Sequence, residues 1–357
     1  MSRAPRRSRW WRAPVHVAVA VLLAGGAWAA PGDDPGEPVQ QRLDALLAAG
    51  PATALVVGLR DREGTRFVVA GHDAGDGLPP DPDTRFQAGS ITKVLNGLLL
   101  ARLADAGRVG IDQPIGSLWP AEPALSAETA AITLEDLAAH RSGLPRLGLR
   151  GSAASARDSS DPYRDATFEE LADTVAALPG VWIDQQRGRT LYSNLGHALL
   201  GQLLARALDL DYAQAVAAHV FAPLGLPAPA IDTAAGARMA RGHDATGPVQ
   251  AWRFDAYAPT AAWHASAREL MELADALLDD PPDWAREAMR PRGGGARIGL
   301  GWHLARAGDR ELVWHNGITA GFRSHLVLEP ASGRAVVVLA NGPVDVDALA
   351  RALLLQD

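Results

Sequence analysis

The chain has no cysteine. That removes disulfides, thiolate metal sites and cysteine nucleophiles together, so the fold rests on its own core. It has almost no lysine either. Of 34 basic side chains, all but Lys93 are arginine, so the sequence uses a guanidinium wherever a positive charge is enough. A guanidinium cannot give up its proton, whereas a buried amine can, and a solitary lysine therefore suggests a task that needs a deprotonatable amine. The formal net charge is −7, which argues against a nucleic-acid partner. The ten histidines form no His-Glu-x-x-His motif and no close pair with carboxylates, so no metal is expected. Gly293-Gly-Gly295 lacks the lysine and the preceding strand of a phosphate loop, and no cofactor is expected.

No apolar run is long enough to span a bilayer comfortably. The longest near the N-terminus, Val15 to Ala24, follows five arginines (Arg3, Arg6, Arg7, Arg9, Arg12) and precedes Ala27-Trp28-Ala29. That is the charged, apolar and small-x-small order of a secretory signal peptide over residues 1–29, with an uncleaved anchor as the alternative. A lipoprotein anchor would need a cysteine. Cleavage would remove five arginines and no acids, taking the formal charge from −7 to −12. The expectation is a periplasmic or secreted protein with no membrane association afterwards, joined to its leader by a linker at 30–37.

Turn and periodicity signals divide the rest. Val39 to Leu47 suits a helix. Thr53–Arg60 and Thr65–Gly71 read as two strands joined by Asp61-Arg-Glu-Gly64. From residue 86 to about 230 helices and loops dominate. Thr133 caps a short helix, Thr167-Phe-Glu-Glu170 is a capping box, and Asn194–Leu208 and Tyr212–Phe221 are helical. Trp263 to Asp279 reads as a helix. Four strands follow near 299–306, 312–315, 322–329 and 335–340, then a helix over 345–354. Strands that begin the chain and resume only near its end imply one antiparallel sheet built from both chain ends. The fold class is α+β: a sheet region of residues 38–85 and 236–357, flanked by terminal helices, with an inserted all-α region at 86–235.

Three stretches carry candidate chemistry. In Phe86-Gln-Ala-Gly-Ser-Ile-Thr-Lys-Val-Leu95 a loop enters a helix, and residues three apart on a helix share a face. Ser90 and Lys93 are then a nucleophile beside an amine. Tyr192-Ser-Asn194 heads another helix. Beside an ammonium a phenolate is favoured, and it could take a proton from serine or water; Asn194 could orient a substrate amide and hold the lysine. Trp314-His-Asn-Gly-Ile-Thr-Ala-Gly-Phe-Arg-Ser324 leaves one strand for the next. There Gly317 permits close approach of a ligand, and the N–H groups of Ile318 and Ser90 could form an oxyanion hole.

In this order the three stretches resemble the serine β-lactamase and penicillin-binding superfamily, in its class C-like branch with D-peptidases and esterases. Ile132-Thr-Leu-Glu-Asp-Leu137, His140-Arg-Ser-Gly-Leu-Pro145, Phe221-Ala-Pro-Leu-Gly-Leu226, Gly299-Leu-Gly-Trp302 and Ala340-Asn-Gly342 match it too, so the resemblance covers about residues 38–357. It implies that Ser90 is acylated, that Lys93 and Tyr192 share base and relay duty, and that Asn194, His315, Asn316, Gly317 and Ile318 contact substrate. One departure stands out. Lactamases of the family carry Lys-Thr-Gly or Lys-Ser-Gly where this chain has His315-Asn316-Gly317, and a histidine is mostly neutral at pH 7. Arg323 either resupplies the cation or faces outward from its strand. The implied activity is an exported serine hydrolase acting on small esters, amides or D-amino-acid peptides, including peptidoglycan-derived ones. A β-lactamase or D,D-carboxypeptidase is the alternative enzyme, and a non-catalytic peptidoglycan or β-lactam binder the alternative class. Oligomeric state is not legible.

Overall fold

Ala54-Leu-Val-Val-Gly-Leu59 has no polar side chain, which a strand sustains only when both its faces are covered. The computed structural model, which describes residues 38–147, 160–232, 238–293 and 297–356, covers them both. The expected signal peptide and the linker lie outside the described residues.

In chain order the strands are β1 Ala54–Asp61, β2 Gly64–Gly71, β3 Arg85–Gln87, β4 Ala230–Ile231, β5 His243–Asp244, β6 Gly247–Pro248, β7 Trp263–Ser266, β8 His303–Ala307, β9 Arg310–Thr319, β10 Phe322–Glu329 and β11 Arg334–Ala340. The α-helices are α1 Val39–Ala49, α2 Thr92–Asp105, α3 Ala127–Ala130, α4 Leu134–Ala138, α5 Phe168–Ala176, α6 Gly180–Gln186, α7 Asn194–Arg206, α8 Tyr212–Val216, α9 Ala258–Ala261, α10 Ala267–Leu278, α11 Asp283–Ala288 and α12 Val346–Leu355.

The main sheet is antiparallel, in the order β2-β1-β11-β10-β9-β8. Within it the first strand pairs with the last, Leu55 opposite Ala340 and Val57 opposite Val338. Side chains alternate between two cores, as a period of two requires. Leu55, Val57, Leu59, Val336 and Val338 pack under α1 and α12 with Leu43, Leu349 and Leu353. Val56, Val337, Leu339 and Leu326 pack on the other face against α10 and the helical half of the molecule, where Met271, Leu95 and Leu98 belong to the same core. The expected cap at Thr133 forms, as a reciprocal box with Asp136, and the expected capping box forms at Thr167 with Glu170.

Two expectations need correction. Trp263 to Asp279 is not one helix: Trp263–Ser266 is a strand, and Ser266 then caps α10 through a reciprocal box with Glu269. The boundary lies at Ser266, where the Ser-x-x-Glu signal of Ser266 and Glu269 marks the true helix start. That strand joins β3 and β4 in a small three-stranded sheet, which reading 86–235 as all helix leaves out.

Helix α2 is buried along nearly its whole length. Its distance from the Gly299–Trp302 segment is set by two residues without side chains. A Cβ on Gly97 would lie 1.8 Å from the carbonyl oxygen of Leu300, and one on Gly301 would lie 2.2 Å from that of Lys93. A polar cluster fixes the helix's rotation: Asn96 Nδ2 donates to Pro259 O at 2.8 Å and to His197 Nδ1 at 3.1 Å, while its oxygen accepts from Tyr212 OH at 2.6 Å.

Replacing a mid-helix glycine by alanine usually stabilises by about 0.5–1 kcal/mol. Gly97→Ala is expected to destabilise instead, by roughly 1–3 kcal/mol, because backbone must move to admit the methyl. Urea unfolding checks this: a lowered midpoint is expected, and a raised one contradicts the packing.

Candidate active site

Ser90 sits in a short 3-10 turn, Gly89–Ile91, that leads into α2. The turn is anchored from both sides. Thr92 Oγ1 donates to Gly89 O at 2.7 Å, and Ser324 Oγ, from β10, donates to Ala88 O at 2.7 Å. One helical turn on, Lys93 is completely buried. Its Nζ lies 3.1 Å from Ser90 Oγ and donates to Thr260 O at 2.8 Å. Burial first, and the Arg146 guanidinium second, hold the Lys93 pKa well below that of free lysine. A neutral amine with one N–H on Thr260 O keeps a lone pair for the serine proton.

Tyr192 completes the group. Its ring centroid is 5.1 Å from Lys93 Nζ, and its hydroxyl lies near enough to Ser90 to be influenced by it. The expected phenolate is corrected here. Burial pushes the Tyr192 pKa up to about 12, against the smaller pull of Ser90 and Arg146. The enclosure that lowers the lysine's pKa also raises the tyrosine's, so burial works against the charged form of both.

The other side is β9. Its pairing with β8 stops at His303 opposite Trp314, so residues 315–319 present a free edge. The nucleophile turn lodges against that edge. A Cβ on Gly89, where φ is 56°, would be 2.9 Å from Ile318 N, and one on Gly317 would be 2.0 Å from Ala88 O. Contact this close explains both glycines, and it brings the Ile318 N–H beside Ser90.

Strand parity sorts the remaining candidates. His315 and Gly317 share the face that meets the helical half. Asn316 does not: its amide donates to Asp347 Oδ2 on α12 at 2.8 Å. Arg323 pairs in register with Ile318 and turns its guanidinium onto Phe322 O at 2.9 Å and Thr319 O at 3.4 Å. Neither side chain lines the site as expected, because successive strand residues point to opposite faces. Asn194 does not hold the lysine either. Its Nδ2 donates to Tyr163 OH at 3.2 Å, while its buried Oδ1 has no partner. His315 donates from Nδ1 to Asn316 O at 2.7 Å, leaving a buried Nε2 lone pair without a partner. Burial and the nearby His303 and Lys93 depress its pKa, so this position carries no cation.

Sequence reasoning passed over three contributors. His140 holds Tyr192 from behind in a left-handed backbone conformation, φ 55°. Its carbonyl accepts from Leu191 N at 2.8 Å, its Nδ1 accepts from Ser193 N at 3.0 Å, and its ring lies 4.3 Å from the tyrosine ring. His303 stands beside both Tyr192 and His315, at ring separations of 6.3 and 4.7 Å, with its pKa lowered to about 4 by burial. Arg146 lies over the Tyr192 ring at 5.2 Å. The match over His140–Pro145 flagged the loop without assigning its side chains. Among the described residues no cluster of histidines and carboxylates could hold a metal, and no helix is long and apolar enough to cross a membrane.

The family model described as Beta-lactamase matches residues 39–357. "Protein flp" of Staphylococcus aureus strain MW2 is 23% identical over 327 residues, 85% of this chain and 63% of that protein. "Unguisins hydrolase ungD'" of Aspergillus campestris is 26% identical over 303 residues, 73% of this chain and 53% of that protein. The chain thus spans less than two thirds of the length of these curated relatives. Among solved structures, a class C β-lactamase from Rhodobacter sphaeroides superposes with a TM-score of 0.75 at 23% identity, covering 88% of this chain and 96% of that one.

A buried neutral lysine has a consequence for stability. The unfolded chain binds a proton at Lys93 up to about pH 10.4, where free lysine titrates, and the folded chain does not, so folding stability at this residue rises with pH through that window. Lys93→Met is expected to melt higher than wild type at pH 7, with the difference shrinking towards pH 10. A variant that melts lower at pH 7 would show that the native amine is charged and paired.

Proposed function

The chain belongs to the β-lactamase family, and from that premise we propose that it is an exported serine hydrolase that forms an acyl-enzyme on Ser90, acting on esters or on amides and peptides of D-amino acids. The observation that carries the reading is the 3.1 Å approach of a fully buried lysine amine to the Ser90 hydroxyl.

The chemistry follows from the protonation states. Lys93, neutral, takes the Ser90 proton as Oγ attacks the substrate carbonyl carbon. The carbonyl oxygen, now negative, lies between the N–H groups of Ser90 and Ile318, where each such donor is worth roughly 3–4 kcal/mol of transition-state stabilisation. Tyr192, protonated at neutral pH, passes a proton to the leaving group as the carbon–heteroatom bond breaks, and the lysine proton replaces it. Water enters by the same route in reverse and releases the acid, restoring Ser90. Esters are favoured over penicillins because His315, neutral and bonded through Nδ1, cannot pair with a penicillin carboxylate as a lysine would. Export rests on the arginine-then-apolar N-terminus and is tested by finding whether protein from periplasm or medium begins after Ala29.

Intact-mass measurement after incubation with p-nitrophenyl acetate, a penicillin and a D-Ala-D-Ala peptide reads which acyl group lands and whether it leaves. The expected result is transient acetylation with continued turnover, lost by about 10³-fold or more in Ser90→Ala. Lys93→Arg, which keeps charge but cannot deprotonate, should also fail to acylate, by roughly 10²–10⁴-fold. Stable labelling without release would favour a non-catalytic binder, and release of a penicilloyl group or of D-Ala would favour the lactamase or carboxypeptidase. Wild-type rates in Lys93→Arg would remove the mechanism.

A further inference from the structure

At the seam described above, the positive charges that a sequence reader looks for are absent. Lys93 is buried with its pKa held well below that of free lysine, His303 and His315 are enclosed with lowered basicity, and Arg323 is turned onto the carbonyl oxygens of Phe322 and Thr319. One cation is nevertheless present. Arg146 is exposed, stands at the end of the His140–Pro145 loop, and pairs with no carboxylate among the described residues. Its position is built. Its carbonyl accepts from Asn194 N at 3.0 Å and from Leu195 N at 3.3 Å, so the head of α7 that carries Asn194 holds the Arg146 backbone. Its guanidinium lies 5.2 Å from the centroid of the Tyr192 ring, whose centroid is also 5.1 Å from Lys93 Nζ. The charge and the reacting pair thus share one aromatic ring.

We propose that Arg146 reads a carboxylate on the substrate, so that the site prefers acyl donors or leaving groups bearing an anion close to the scissile bond. The inference rests on the hydrolase reading and deepens it by naming the substrate's charge. A planar guanidinium with free donor edges suits a carboxylate, which it can grip through two parallel hydrogen bonds. The Tyr192 ring lies against the guanidinium, whose donor edges meet no carboxylate among the described residues. An anion that pairs there is held at the ring that the lysine of the reacting pair also contacts, where positioning counts towards rate. This places the anion-reading charge on the helical side of the site, on the loop rather than on the strand.

The test compares charged and neutral substrates in two arms. Mono-p-nitrophenyl glutarate against p-nitrophenyl hexanoate puts the carboxylate in the acyl group. The ester 3-carboxy-4-nitrophenyl acetate against p-nitrophenyl acetate puts it in the leaving group. The expected result is a charged-to-neutral ratio of kcat/KM that falls about tenfold or more in Arg146→Gln in at least one arm, with partial recovery in Arg146→Lys; the arm that responds shows which side the anion occupies. Ratios within twofold of wild type in both arms overturn the proposal. A binding measurement keeps it separate from catalysis: calorimetry with glutarate should show about tenfold weaker binding to Arg146→Gln than to wild type, even if no ester is turned over. Equal binding overturns it, while loss of turnover with binding intact counts against the hydrolase reading alone.

Discussion

An amine enclosed by protein on every side cannot keep its proton cheaply, and this one constraint organises the molecule. Lys93 lies on a helix that is itself buried, one turn from the serine it faces, and its neighbours supply a single carbonyl acceptor rather than a carboxylate. A carboxylate there would have made an ion pair and fixed the charge. Its absence, with a guanidinium nearby, leaves the neutral amine as the favoured species. The rest of the helix can be understood as what holds that amine in place: the contact without side chains at Gly97 and Gly301, and the Asn96 cluster that ties α2 to α7, α8 and α9.

The site lies where two differently built halves meet. The helical half supplies the groups that hold and move protons. The sheet supplies backbone, through an edge of β9 that β8 leaves unpaired. Around Tyr192 the rings of His197, His140, His303 and His315 follow one another at separations of about 4 to 6 Å, each with lowered basicity. Burial is the first cause in every case. The interior is therefore aromatic and polar with lowered basicity, suited to passing protons without trapping them, and among the described residues Arg146 brings positive charge to the Tyr192 ring from the rim.

Much of this was legible in the residues themselves. The both-ends sheet followed from where apolar strands occur, and Ser90 with Lys93 followed from helical spacing and the scarcity of lysine. The errors have a common origin: they concern direction rather than location. Asn316 and Arg323 lie in the right stretch but on the far face, and counting parity from His315 and Gly317 would have placed them there. Asn194 is beside the site but bonds Tyr163, which no local pattern announces. The phenolate expected of Tyr192 assumed a charged lysine, whereas both groups share one enclosure that penalises either charge. His140 and Arg146 could not be assigned roles without coordinates, because their contacts span some fifty residues of chain.

Since Lys93 is the only lysine in the chain, lysine labelled with ¹³C at Cε gives a single side-chain resonance, and its titration reads the protonation of that amine directly. The account predicts a neutral amine at pH 7, titrating well below the ordinary range of lysine. A resonance that titrates near pH 10.5, as an exposed lysine does, would contradict it.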